Sequence, residues 1–352
     1  MSERGVVAGL ADSAFLAGLG ARDKSPWRIA LTLVGGLVVG AIAALAGFIL
    51  AWTIYMVLTG YWREGLAGLQ HVAVALKAAD GKDLKSALLV MVTAVTTNGP
   101  FALAFVGLAS ILAGHRFWDY VSAAPAVRWR LLLAGLVLSV IVVAPVMAVD
   151  RLFSPQAITA PFLAVSPKAA GRAIYILAAI ALLIPAAAAE EIIFRGWLLR
   201  QLAAFSRSPA ILIVTTGVLF SVVHLLPEHA TFSSFLSDLA RNIVANPGAL
   251  LDRTLMGGGF AYMTLRLGGI EFSTGAHAAN NILIVLFIEP LTLKTVASAG
   301  DLSMASLLED VALVLGYILI TEAVARIAPL RRWTGVQAAE ISSPTLGAAS
   351  IG

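Results

Sequence analysis

Long apolar runs separated by shorter polar stretches set the pattern of this chain. A helix needs about 20 mainly apolar residues to cross a hydrocarbon core. Runs of that kind fall at 29–59, 86–113, 130–149, 171–199, 209–226, 254–270, 272–290 and 307–328. The pattern therefore predicts an all-α, polytopic transmembrane helix bundle of about eight spans. Trp27, Trp62, Trp118, Trp129 and Trp333 flank the runs, where an amphipathic ring prefers the headgroup level. Residues 61–85, with Lys77, Asp80, Lys82, Asp83 and Lys85, read as an aqueous or interfacial stretch. Residues 227–253 form the other long connection.

The organisation that follows is an N-terminal cytoplasmic segment (1–26), a three-helix membrane region (27–170), a membrane core (171–290), a final membrane helix (291–330) and a disordered tail (331–352). Residues 1–26 carry Arg4, Arg22 and Lys24, but no small-residue cleavage site follows a compact apolar core, so they do not read as a cleavable signal. A slight excess of Lys and Arg on the N-terminal side places both termini in the cytoplasm.

Composition agrees with the pattern. Of 352 residues, 59% are hydrophobic and 12% charged, against about 25% charged in a soluble domain. A soluble globular fold and a disordered chain are both excluded. The absence of cysteine removes disulfides, thiolate catalysis, cysteine-held metal clusters and sulfur-linked lipid anchors. The net charge of +4 comes without a dense basic cluster, so nucleic acid is not an expected partner. Membrane lipids and a peptide or membrane-protein substrate are.

Three polar motifs interrupt the apolar runs: Glu190-Glu191-x-x-x-Arg195, Phe220-x-x-x-His224 and His277-x-x-x-Asn281. A charged side chain at a helix centre costs roughly 2.5–3.5 kcal/mol on insertion scales, so such residues face the bundle interior and are functional by default. Glu191 and Arg195 stand at i and i+4 in the favourable acid-first order, as a pair. Glu190 points about 100° away round the helix and is left for another partner. Glu190 and His224 are equally far along the chain from a turn expected near Arg207, so two antiparallel helices bring them to one level, roughly 25 Å from that turn. His277 enters its own helix by roughly 12 Å. A desolvated Glu beside His is a water-activating pair, with His orienting the water or ligating a metal. A further His and Asn suit the oxyanion of amide hydrolysis. No G-x-S-x-G or HExxH motif accompanies them.

These motifs, in this order, resemble the CPBP family of intramembrane proteases, which includes the CAAX prenyl endopeptidases and bacteriocin self-immunity proteins. Its pattern is EExxxR, FxxxH and HxxxN on successive membrane helices, and Gly259-Phe260-Ala261-Tyr262 before Arg266 looks like the helix preceding the third motif. The resemblance covers about 171–290. It implies an intramembrane endopeptidase of a bacterial-type inner membrane, in which Glu190 and His224 activate water while His277 and Asn281 stabilise the oxyanion. Glu191, Arg195 and Phe220 support them. It leaves open a metalloprotease, with Glu190, His224 and His277 as zinc ligands, or a metal-free glutamate mechanism. A non-catalytic scaffold or immunity protein of the same fold is the alternative, and a transporter a more distant one. Elsewhere the expectation is structural: His71, His115 and His229 as solvated loop residues, and Glu322 with Arg326 as a snorkelling pair.

Overall fold

A computed structural model describes residues 6–153, 159–227, 231, 233–292 and 304–336. Its helices are α1 (Pro26–Thr59), α2 (Leu66–Ala78), α3 (Leu84–Ala113), α4 (Trp129–Phe153), α5 (Ala169–Glu191) and α6 (Pro209–His224). There follow α7 (Phe235–Ala245), α8 (Pro247–Leu267), α9 (Glu271–Leu283), α10 (Met304–Arg326) and α11 (Ala328–Thr334). The protein is all-α. Among the described residues the one strand-like pairing is an isolated bridge between Ser122 and Gly269.

Each of the eight predicted runs is helical, but fewer qualify as membrane spans. Pro26–Thr59, Leu84–Ala113, Trp129–Val149 and Ala169–Ala203 are long and apolar enough to cross, and α10 with α11, bent by 86°, makes a fifth if the pair counts as one span. The three runs between them fall short for two reasons. α6 has 16 residues, below the length a full crossing requires, and α9, which continues as a π-helical segment to Ile288, carries Glu271, His277, Asn280 and Asn281. α8 carries Asp252, Arg253 and Arg266 among its 21 residues.

Of these, α9 is the one the other helices enclose, whereas α6 exposes Ile211, Val214 and Val223. On α9, Phe272, Thr274, Ala276, His277, Ala278 and Ala279 are all buried. Close approach of α4 makes this possible, because Gly135 and Gly275 meet backbone where a Cβ would stand: 2.2 Å from the Phe272 carbonyl oxygen and 2.1 Å from that of Leu132. Small residues that let backbones touch are the usual device of helix packing in lipid. By contrast α1 exposes Val34, Leu37, Ile42, Leu45 and Ile49, as a helix on the lipid side must.

Several expectations are corrected. The connections 61–85 and 227–253 contain helices α2 and α7, and Asn242 of α7 donates to the Leu225 carbonyl at 3.2 Å. The tail is not disordered from Arg331: α11 runs to Thr334, and Thr334 and Val336 are buried; residues 337–352 lie outside the described residues. His115 is not solvated, since its Nε2 meets Asp23 Oδ1 at 2.8 Å in a largely buried pair. His71 is exposed beside Glu64, and His229 lies outside the described residues. Glu322 does more than pair with Arg326: it also accepts from Tyr262 Oη at 2.6 Å and Arg266 Nε at 2.7 Å, tying α10 to α8. The N-terminal segment is docked as well, with Ser13 Oγ donating to Leu265 and Arg200 donating to the carbonyls of Phe15 and Ala17.

Candidate active site

The first motif sits where α5 changes its winding. After Glu191 the helix passes through a π-helical segment, Ile192–Leu198, before Leu199–Ala203 completes it. Such wide turns are rare and gather at functional sites. The i, i+4 pair predicted from the sequence is present: Arg195 Nη1 donates to Glu191 Oε1 at 2.8 Å, and both side chains are fully buried. Arg195 Nη2 donates to the Gly257 carbonyl at 3.0 Å. Its guanidinium carbon lies 4.5 Å from the Phe220 ring centroid and 5.3 Å from that of Phe260. A charge taken out of water requires such partners, although Arg195 Nε and Glu191 Oε2 are buried without a hydrogen bond.

The second motif is brought to the first by close packing of α6 on α8. A Cβ on Gly217 would stand 2.3 Å from the Thr254 carbonyl oxygen, and one on Gly257 would stand 3.0 Å from the Gly217 Cα. The antiparallel register this enforces puts Phe220 at the centre of the cluster. Its ring centroid lies 4.5 Å from that of His224, 5.9 Å from that of His277 and 5.1 Å from that of Phe194. His224 Nδ1 lies 2.8 Å from the Phe220 carbonyl oxygen. A carbonyl only accepts, so that nitrogen carries the proton and Nε2 is turned elsewhere.

The third motif meets both. His277 Nδ1 lies 2.9 Å from Glu191 Oε1, its ring stacks on Phe260 at 5.1 Å, and its Nε2 is aimed at Glu190. Glu190 Oε2 is therefore flanked by two imidazoles, 3.7 Å from His224 Nε2 and 3.7 Å from His277 Nε2. It is itself buried without a hydrogen-bond partner. Asn281, one turn beyond His277 on α9, is half-buried and, among the described residues, makes no hydrogen bond to Glu190, Glu191 or either histidine. All seven motif residues thus belong to one cluster of helices, with Glu190, His224 and His277 in mutual reach and Asn281 beside them.

The donor set Glu190, His224 and His277 has the chemistry of a zinc site, down to the second partner on each imidazole Nδ1. Among the described residues no group of three or more His, Cys, Asp or Glu stands out as a metal site.

Three features of the cluster escape the sequence. The stacking of Phe260 is visible only as a neighbour of the third motif, and the Gly257 carbonyl leaves no side-chain signature. The third is an ion pair between Arg128 and Glu271 that fastens the start of α9. Arg128 Nε and Nη2 donate to the two Glu271 oxygens at 2.9 and 2.7 Å, and Nη1 donates to the Leu267 carbonyl at 2.8 Å. An acidic residue in the first turn of a helix is a readable signal. Its partner, 143 positions away, is not.

Comparison with known proteins locates the same region. Residues 172–283 match the family described as type II CAAX prenyl endopeptidase Rce1-like, a stretch that holds all three motifs. Over 193 residues the chain is 28% identical to the protein YyaK of Bacillus subtilis (strain 168), a match covering 53% of this chain and 58% of that protein. The chain thus spans less than two thirds of that relative's length. No solved structure matches.

Proposed function

We propose that this integral membrane protein, whose residues 172–283 form an Rce1-like domain, hydrolyses a peptide bond in or beside the membrane with water activated by Glu190. The observation that carries the reading is the position of Glu190 Oε2, without a hydrogen bond and 3.7 Å from the Nε2 atoms of two histidines. With Nδ1 of His224 bound to a carbonyl, its Nε2 is an acceptor. A water between Glu190 and His224 gives one hydrogen to each, which turns an oxygen lone pair toward the scissile carbonyl. As the C–O bond forms, Glu190 takes the proton, and it returns a proton to the leaving nitrogen as the C–N bond breaks. General-base catalysis of this kind contributes about 10²–10⁴-fold.

His277 and Asn281 serve the oxyanion. Glu191 pairs with both Arg195 and His277, and Glu190 stands 3.7 Å from His277 Nε2. His277, held through Nδ1 against Glu191, presents Nε2 on the side where the oxyanion forms. Asn281 supplies a second donor from the next turn. Glu191, Arg195 and Phe220 hold these groups in place. The reading includes both termini in the cytoplasm of a bacterial-type inner membrane, and it uses no metal.

The test compares purified wild type with Glu190→Gln and His224→Ala proteins of unchanged melting temperature. Substrate comes from membrane peptides that accumulate in Glu190→Gln cells, identified by proteomics. Loss of about 10²–10⁴-fold in rate is expected for Glu190→Gln, with wild type indifferent to chelator. A Glu190→Gln enzyme as fast as wild type ends the proposal. Activity lost to chelator and restored by zinc replaces its glutamate–water step with a metal site.

A further inference from the structure

Arg253 has a buried guanidinium nitrogen without a hydrogen-bond partner. It lies on α8 one turn before Gly257, the residue whose carbonyl Arg195 holds. The register around it is fixed: Ser221 Oγ donates to the Leu250 carbonyl at 2.9 Å, and the Thr254 carbonyl abuts Gly217. That sets Arg253 at the level of the His224 end of α6, and its charge acts directly on His224. Among the described residues Arg253 makes no hydrogen bond or ion pair, and its Nη1 is buried without a partner. Arg128, Arg195 and Arg200, by contrast, each hold a carboxylate or backbone carbonyls. A buried donor left unmade is costly; Arg195 and Arg200 also leave Nε unpartnered, but their other nitrogens are held, whereas those of Arg253 are not.

The cluster is open on this side. The side chains of His224 and Glu190 are 30% and 26% exposed, whereas that of His277 is 6% and those of Glu191 and Arg195 are 0% exposed. A peptide reaching Glu190 therefore comes in on the His224 side of the cluster. The surrounding charges choose the kind of anion. Asp252 neighbours Arg253 in the chain and interacts with Asp310 of α10, while Glu190 lies against His224. These carboxylates repel a dianion such as a phosphate ester, while the planar fork of one guanidinium matches one carboxylate.

We propose that Arg253 is a specificity-determining residue that receives a carboxylate of the peptide substrate, and so orients the peptide with its scissile bond at Glu190. The carboxylate is either the free C-terminus or an acidic side chain. This rests on the endopeptidase reading above.

The experiment measures binding rather than turnover. The full chain carrying Glu190→Gln, in detergent, is titrated with one fluorescent apolar decapeptide in three forms: free acid, C-terminal amide, and amide with a single Glu. The expected result is that one or both carboxylate forms bind about 10–100-fold more tightly than the neutral amide, as befits a charge-assisted hydrogen bond. Adding Arg253→Met removes that ratio and leaves the neutral amide unchanged, while Arg253→Lys retains part of it. Preference for the free acid alone identifies the C-terminus, and preference for the Glu peptide alone identifies a side chain. Equal binding of all three forms with Arg253 present overturns the proposal. So does a uniform weakening of all three by Arg253→Met, which marks a structural role. Because the ratio does not depend on cleavage, its absence from a cleaving enzyme refutes Arg253 alone. A preserved ratio without any cleavage by wild type refutes the hydrolase reading alone.

Discussion

Replacing Arg195 by Met should cost more than any other single change in the cluster, and the structure supplies the size. The guanidinium and its partner Glu191 are fully buried and 2.8 Å apart. Removing one member of a buried pair typically costs about 3–5 kcal/mol, because the other is left charged in a medium that cannot solvate it. The Phe220 face, 4.5 Å from the guanidinium carbon, adds about 0.5–2 kcal/mol of cation–π attraction. His277, which also reaches Glu191 Oε1, remains as a partner and holds the loss toward the lower end. Against a total stability of about 5–15 kcal/mol, about a quarter or more should disappear. The double variant Glu191→Gln with Arg195→Met removes both charges and should recover much of the loss, with a coupling of about 2 kcal/mol or more. The assay is denaturant unfolding in detergent micelles, followed by fluorescence of buried Trp197 and by helical circular dichroism. An Arg195→Met protein within about 1 kcal/mol of wild type, or single effects that simply add in the double variant, refutes the reasoning. The pair would then not be what holds α5 to α8 and α9.

Two further outcomes follow from the same geometry. Asn281→Ala should leave the melting temperature unchanged and lower kcat by about 10²–10³-fold, the usual cost of one oxyanion donor; an unchanged kcat removes Asn281 from the mechanism. Gly275→Ala places a methyl carbon 2.1 Å from the Leu132 carbonyl oxygen and 2.6 Å from the Leu136 nitrogen, so α9 must move away from α4. Overpacking of this kind costs about 1–3 kcal/mol. Because His277 is two residues further on, kcat should fall as well; thermal melting and steady-state kinetics on one preparation show whether it does.

The membrane class, the helical fold and the three motifs were legible along the chain, because each depends on residues that are neighbours in sequence. Apolar runs need only length, and Glu191 with Arg195 needs only the i, i+4 repeat of one helix. Even the meeting of Glu190 and His224 follows from counting equal distances to a shared turn. What the chain does not reveal is how many runs reach across a bilayer. The second and third motifs lie on α6 and α9, and α6, α8 and α9 all read as apolar runs along the chain, yet they are short or carry polar and charged residues. His115 looks like a loop residue until Asp23 is brought beside it. The anchoring of α9 by Arg128, the stacking of Phe260 on His277, the Gly257 carbonyl on Arg195 and the unpaired Nη1 of Arg253 are likewise decisions of tertiary structure. They join positions far apart in the chain through contacts, backbone atoms and burial, none of which leaves a local pattern. The sequence alone therefore determined which residues could do chemistry in a membrane. Only the packing of one helix against another decided which of them touch, which are closed off, and on which side the cluster is open.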